Sequence, residues 1–414
     1  MFLAVLTFTA IASALAVPST ELVERQLGSQ SANQTILQPV TTKKLTSITF
    51  PQSVREKLIW GPFKLSAANG KHNGQLDKGS DTFNTILGGL CSDCYILKAD
   101  YNIADKEGTR LTLNEGVYLH HAIVMDTSQT QPGMPLTAVC SAKELADGAA
   151  ALAKGSSNGM ASSSGMGMSG HSHSRRSVSS PNTQAMIHQK RQSGAANSFP
   201  VPATLITKGN EDKIAYYAAP NSTLKTGFWL GKGQHVATTI DAVNYRNETK
   251  DMYFTIDYEY TPFPQGKPKD HLDVAMSIMS SNGCGGLAFH PPKDKSVTYT
   301  SNQWDVAIDG YMLNILPHLH DGAVDLQILV NGKSTCRSQA IYTPSADKFD
   351  GKQWESITGY TTCDKPIQVK KGDKIFMTSE YDLTKHNLRP TTQDHGEAEG
   401  MAVAFFQFAR DNKQ

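Results

Sequence analysis

Residues 109–126 read TRLTLNEGVYLHHAIVMD. β-Branched and aromatic residues alternate here with polar ones, and Asn-Glu-Gly breaks the run as a turn would. That is the signature of strand, turn and strand. It recurs in KLTSITF, CYILKADYNI, MYFTIDYEY, KSVTYT, AVDLQILVNG, KIFMTSEY and MAVAFFQFA, separated by Asn-Gly, Gly-Asp and Pro-containing turns. Long amphipathic helices are missing from the pattern. The expected fold is all-β, with two tandem antiparallel β-sandwiches.

A chain of 414 residues suits two domains better than one. Its net charge of +1 and lack of a basic face argue against a nucleic-acid partner. The N-terminal run MFLAVLTFTAIASALA is small and apolar and ends Ala-Leu-Ala, as a secretory signal does, with cleavage expected after Ala16. It is shorter than the roughly 20 residues a spanning helix needs, and no later segment is long and apolar enough to span. A secreted, extracellular protein is expected. Three acceptor motifs, at Asn33, Asn221 and Asn247, fit glycosylation in that compartment. So does an even count of six cysteines: Cys91, Cys94, Cys140, Cys284, Cys336 and Cys363. Six cysteines allow 15 pairings, of which Cys336 with Cys363, flanking one strand-rich stretch, is the one expected. Cys91 and Cys94 form a C-x-x-C with no second copy, which favours a structural role over zinc or redox chemistry.

The chain divides accordingly. Residues 1–16 are the signal peptide and 17–40 a propeptide or loose arm. The first β-sandwich covers 41–262 and the second 263–414, with the boundary in the Pro- and Gly-rich stretch YTPFPQGKPKDH, residues 260–271. Residues 149–198 interrupt the first sandwich with a Ser/Gly/Met/His-rich insert that cannot build a core. The insert carries two dibasic pairs ending at Arg176 and Arg191, sites for a dibasic-specific secretory protease or merely part of an uncut loop. Its Met160, Met166, Met168, His171 and His173 are either loose copper(I) donors or low-complexity drift.

Three features carry chemistry. In NILPHLHDG, residues 314–322, His318 and His320 sit two apart on a strand and share a face, so one rigid element offers two imidazoles. In Tyr118-Leu-His-His, the adjacent His120 and His121 would face opposite ways on an ideal strand. They bind one ion together only if the strand is bulged; otherwise one is a core histidine and the other is exposed. Met401 opens the last strand. It is either a core residue or a thioether donor suited to copper(I).

The order of these features resembles the copper type II, ascorbate-dependent monooxygenases, the peptidylglycine- and dopamine-hydroxylating enzymes. The resemblance is closer still to the plant stress-induced Nod19-like proteins, through Tyr118-Leu-His-His, His318-Leu-His-Asp-Gly322, Gly359-Tyr-Thr-Thr-Cys363 and Gly400-Met401. It runs over roughly residues 45–410 apart from the insert. The resemblance implies two tandem jelly rolls and one or two copper ions. A domain-2 copper would be held by His318, His320 and Met401, and a domain-1 copper by His120 and His121. The third histidine of the latter has no counterpart in the expected strand, Phe254–Tyr260, which offers only Asp257 and Glu259. His235 and His386 are further candidates.

The function expected is therefore a secreted copper-dependent monooxygenase that hydroxylates an unidentified small-molecule or peptide substrate with dioxygen and ascorbate or a similar reductant. The alternative is a non-catalytic copper-binding or stress protein on the same fold. No Walker loop and no H-E-x-x-H points to another enzyme class.

Overall fold

The computed structural model describes residues 36–74, 79–132, 200–211, 213–220, 222–282, 288–349, 352–361, 363, 365–390 and 398–410. The expected signal peptide, Asn33, Asn221, Cys140, Cys284 and the whole insert, with Arg176 and Arg191, lie outside them.

Strands are the dominant element among the described residues, and no α-helix occurs among them. The first half contains β1 (Ile36–Leu37), β2 (Thr41–Leu45), β3 (Val54–Leu65), β4 (Ser80–Leu87), β5 (Cys94–Ala104), β6 (Val117–Pro132), β7 (Pro200–Lys208), β8 (Ala215–Tyr216), β9 (Thr226–Leu230), β10 (Val236–Asn244) and β11 (Lys250–Pro262). The second contains β12 (Leu272–Ser280), β13 (Ala288–Phe289), β14 (Ser296–Thr300), β15 (Trp304–Asp305), β16 (Gly310–Leu319), β17 (Ala323–Val330), β18 (Lys333–Phe349), β19 (Lys352–Tyr360), β20 (Ile367–Val369), β21 (Lys374–Asp382) and β22 (Gly400–Arg410). One short 3-10 turn, Leu113–Glu115, precedes β6. It is closed by a capping box in which Thr112 and Glu115 bond each other's backbone N–H groups.

Three sheets result. One of five strands runs β1-β4-β10-β6-β7, and one of six is built on β14-β21-β17-β18-β19 with β15 against β21. Between them lies an eleven-stranded sheet whose main path is β2-β3-β11-β5-β9-β12-β22-β16-β20. Its two halves are joined where β9 and β12 pair in parallel, Leu272 opposite Thr226. β1 and β4 also pair in parallel, so the pairing is mixed, where the sequence pattern led to antiparallel sheets throughout.

β22 explains why the halves hold together. Its sequence GMAVAFFQFA is buried at every position, because it has a core on each face. Met401, Val403, Phe405 and Ala409 point into one hydrophobic cluster. Ala402, Ala404, Phe406 and Phe408 point into the other. A strand buried on both sides reads as a continuous apolar run rather than an alternation. Each phenylalanine so buried contributes roughly 1.5–3 kcal/mol by transfer from water, and truncating one to alanine would cost about 3–5 kcal/mol. β16 lies beside β22, with His318 opposite Val403. The β16–β22 wall thus presents one face to the first half of the chain, and His318 of β16 and His320 just beyond it stand on that face. Among the described residues, two disulfides join Cys91 to Cys94 and Cys336 to Cys363.

Candidate metal centre

The adjacent histidines of β6 sit in a β-bulge. On the neighbouring strand β10, Asp241 lies opposite His121, but Ala242 lies opposite Leu119. His120 is the extra residue, and the bulge turns both rings the same way; their centroids are 4.1 Å apart. Tyr101 of β5 pins the strand just beyond, its hydroxyl donating to the Ala122 carbonyl at 2.6 Å.

On β16 the pleat aims His318 and His320 at the same space. Two tyrosines fix the backbone there. The Leu319 N–H donates to Tyr360 Oη at 2.9 Å. Tyr381 Oη donates to the Met401 carbonyl at 2.5 Å and lies 3.2 Å from the His320 carbonyl. Gly322 follows with φ +96°, where a Cβ would come within 2.5 Å of Leu383, so the turn after the motif requires glycine.

These two strands bring all four imidazoles together. Ring centroids of His120 and His320 are 5.2 Å apart, His121 and His318 5.0 Å, His121 and His320 5.5 Å, and His318 and His320 5.2 Å. One nitrogen from each of His120, His121 and His320 falls within 4.8 Å of the others. All four histidines are at least 94% buried by exposures of 0, 6, 2 and 4% in chain order. The family resemblance implied one centre per domain; here the rings of both motifs lie side by side in one cluster, where β6 faces the β16–β22 wall.

Carboxylates and a carbonyl hold the rings from behind. His120 Nδ1 is 3.0 Å from Asp241 Oδ2, His318 Nδ1 is 3.4 Å from Glu211 Oε1, and His320 Nδ1 is 3.0 Å from the Glu399 carbonyl. With each Nδ1 engaged, the Nε2 atoms of His120, His318 and His320 have no hydrogen-bond partner, and neither ring nitrogen of His121 has one. Glu399 Oε1 approaches His120 Nε2 and His320 Nδ1 at 3.4 Å each without forming a hydrogen bond. Gly209 leaves room for His318: a Cβ there would come 2.6 Å from His318 Cε1 and 2.7 Å from Glu211 Oε2.

Electrostatics sort the protons. Burial opposes charge on His120, but hydrogen bonding to Asp241, with Glu399 nearby, outweighs it and lifts the imidazole to about 9. Burial, then the neighbouring His120 charge, pushes His121 down to about 3. Burial also holds His320 well below its ordinary value. Burial would raise Glu211 and Glu399, but their histidine partners draw both down to about 2. His121 and His320 are thereby held neutral with unused lone pairs, while His120 keeps a proton beside Asp241 that a bound metal ion would displace. Several buried polar atoms without partners are costly, and a bound metal ion removes that cost. The residues therefore fit a metal. Imidazole donors suit copper, zinc, iron and nickel alike.

Met401 shares the face. The His320 N–H donates to the Met401 carbonyl at 2.9 Å, so the two residues are cross-strand neighbours on the side that carries His318 and Val403. The other candidates fall elsewhere. His235 is exposed in the turn before β10, at the opposite end of that strand from Asp241. His386 stacks on Tyr342 at 3.8 Å and meets Glu355 at 2.5 Å. Asp257 pairs with Arg55, and Glu259 accepts backbone N–H groups of Ile48, Thr49 and Phe50 and pairs with Lys98. Neither carboxylate completes a centre with His120 and His121. Asp241, Glu211 and Glu399 were not singled out from sequence. Asp241 alone left a trace there, the one charge in the strand VATTIDAVN.

The cluster gives meaning to distant similarities. Over 184 residues, 44% of this chain, it is 23% identical to the probable copper-dependent oxygenase clz3 of Cochliobolus lunatus, covering 57% of that protein. Over the same length it is 22% identical to the probable copper-dependent oxygenase M1 of a Phoma species, covering 46% of it. The chain resembles fungal copper-dependent oxygenases. It spans about half the length of these curated relatives. No family model matches the chain.

Proposed function

We propose that the protein is a copper-dependent oxygenase whose single centre is built from His120, His121, His318 and His320, with Met401 beside it. The observation that carries this is the convergence of four buried imidazoles, from both halves of the chain, with their Nε2 atoms unpartnered. Similarity to copper-dependent oxygenases favours copper over zinc, and a thioether on the same face favours the reduced ion. Copper, when bound, supplies the one-electron redox couple and the reaction with dioxygen that side chains lack.

The chain's own residues do the rest. Asp241, Glu211 and the Glu399 carbonyl fix the tautomer and orientation of His120, His318 and His320, as partners behind metal-bound histidines do. The two flanking hydrophobic clusters keep bulk water from the ring nitrogens. The reaction supported best is monooxygenation of an organic substrate with ascorbate or a similar small reductant. Two disulfides favour an oxidising compartment, and among the described residues no helix is long and apolar enough to cross a membrane. Secretion with glycosylation at Asn247, which is exposed between β10 and β11, fits both.

A carrier function is the second reading, favoured by the near-complete burial of all four rings. Oxygen uptake separates the two. Copper-loaded protein with ascorbate is expected to consume oxygen faster than the same free copper when offered a panel of organic substrates, and His318→Ala is expected to abolish the difference. Full copper occupancy without uptake above free copper would leave only the carrier.

A further inference from the structure

Beside the histidines lies a third, small hydrophobic cluster, separate from both sandwich cores. It is formed by Leu113, Tyr118 and Val243, with Tyr245 and Trp354 packed on it. We propose that Tyr118, Tyr245 and Trp354 form a path by which an oxidising equivalent leaves the histidine centre when no substrate consumes it. The inference rests on the copper reading above and extends it.

The side chains are linked one to the next. Tyr118 is two residues before His120 on β6, with ring centroids 6.3 Å apart. Arg389 links the next pair: its guanidinium lies 4.8 Å from the Tyr118 ring centre, and its Nη1 donates to Tyr245 Oη at 2.7 Å. Tyr245 meets Trp354 at 5.0 Å. Trp354, on β19 in the second half of the chain, is only half-buried. Tyr118 is 5% exposed, so the path runs from the interior towards solvent. A cluster serving packing alone needs only apolar volume. This one also carries two tyrosines and a tryptophan, the side chains most readily oxidised by one electron. Arg389 gives it direction. A cation over Tyr118 and bonded to Tyr245 makes removing an electron harder there than at Trp354, so a hole moves outward and rests on the tryptophan.

The step balances with hydrogen peroxide as oxidant. One electron from reduced copper and one from Trp354, with two protons from solvent, turn hydrogen peroxide into two waters. The electron from Trp354 passes inward through Tyr245 and Tyr118 and leaves the indole as its radical cation. A small reductant at the surface then restores it. The histidines, which would otherwise be the nearest oxidisable groups, are spared.

The test mixes copper(I)-loaded protein with one equivalent of hydrogen peroxide, without substrate, and freezes it for electron paramagnetic resonance. Parallel samples are digested for peptide mass spectrometry. Wild type is expected to show a tryptophan radical, shifted by ring-deuterated tryptophan, with little oxidation of His120 and His121. Trp354→Phe is expected to lose that signal and to gain several-fold more oxidised histidine, at unchanged copper content. Tyr245→Phe, which keeps the ring but not the hydroxyl held by Arg389, is expected to weaken the signal. An identical radical and identical histidine oxidation in wild type and Trp354→Phe, with copper bound in both, overturns the path alone. Failure of wild type to bind copper overturns the copper reading and the path with it.

Discussion

Asp241→Asn tests how the bulge and its partner make a donor of His120. The carboxylate lies 3.0 Å from His120 Nδ1 and 3.9 Å from His121 Nδ1, and Thr82 Oγ1 holds its other oxygen at 3.2 Å. The substitution keeps the shape but removes the charge. A buried hydrogen bond to a charged group is worth about 1.5–3 kcal/mol. At about 1.4 kcal/mol per tenfold, that is roughly a 10- to 100-fold loss of copper affinity, the range seen when a metal-bound histidine loses its orienting partner. The assay is a competition titration of the purified protein against a chelator of known copper affinity. Glu259→Gln is the control. It removes an equally buried carboxylate whose partners are Lys98 and three backbone N–H groups, so it is expected to lower thermal stability and leave copper affinity unchanged. An Asp241→Asn protein that holds copper as tightly as wild type would refute the orienting role.

Three other perturbations have expected outcomes. Met401→Leu, nearly volume-conserving in a packed core, should cost less than about 1.5 kcal/mol of stability; copper should still bind, but its reduction potential, read by redox titration, should fall, and an unchanged potential would remove the thioether from the site. Gly209→Ala places a methyl group against His318 Cε1 and Glu211 Oε2, an overpacking worth about 1–3 kcal/mol. It should weaken copper binding, and equal affinity would show that His318 does not need its present place. Burial pushes Asp321 up to about 6, against hydrogen bonds from the Ile357 N–H and Ser356 Oγ. Its folded pKa exceeds its unfolded one near 3.9, so the native state holds a proton that the unfolded chain has lost. The stability deficit is absent below about pH 4, grows as pH rises towards 6, and is full above it. Asp321→Asn should therefore stabilise the metal-free protein by about 3 kcal/mol at pH 7.5 and have little effect at pH 4; equal melting shifts at both pH values would refute the assignment.

Much of this was legible in the sequence, for physical reasons. Alternating strands such as KIFMTSEY announce the sheet class, and the spacing of His318 and His320 fixes a shared face because side chains repeat every second residue. His120 and His121 could be read only conditionally. A bulge depends on the partner strand, and nothing in Tyr118-Leu-His-His reveals that Ala242 skips a residue. The merging of the two motifs was out of reach for a similar reason. It follows from β22 being buried on both faces and carrying β16 against the first half, a contact between residues far apart in the chain. Glu211 and Glu399 were invisible because a lone glutamate near a turn is ordinarily solvated; only the fold brings these two to buried rings.

The central claim is that His120, His121, His318 and His320 serve one centre. Copper stoichiometry by elemental analysis, on wild type and on His120→Ala and His318→Ala separately, tests it most directly. A single centre predicts one copper per wild-type chain and its loss or severe weakening in either variant. Two coppers in wild type, with each variant losing one and keeping the other at full affinity, would contradict it.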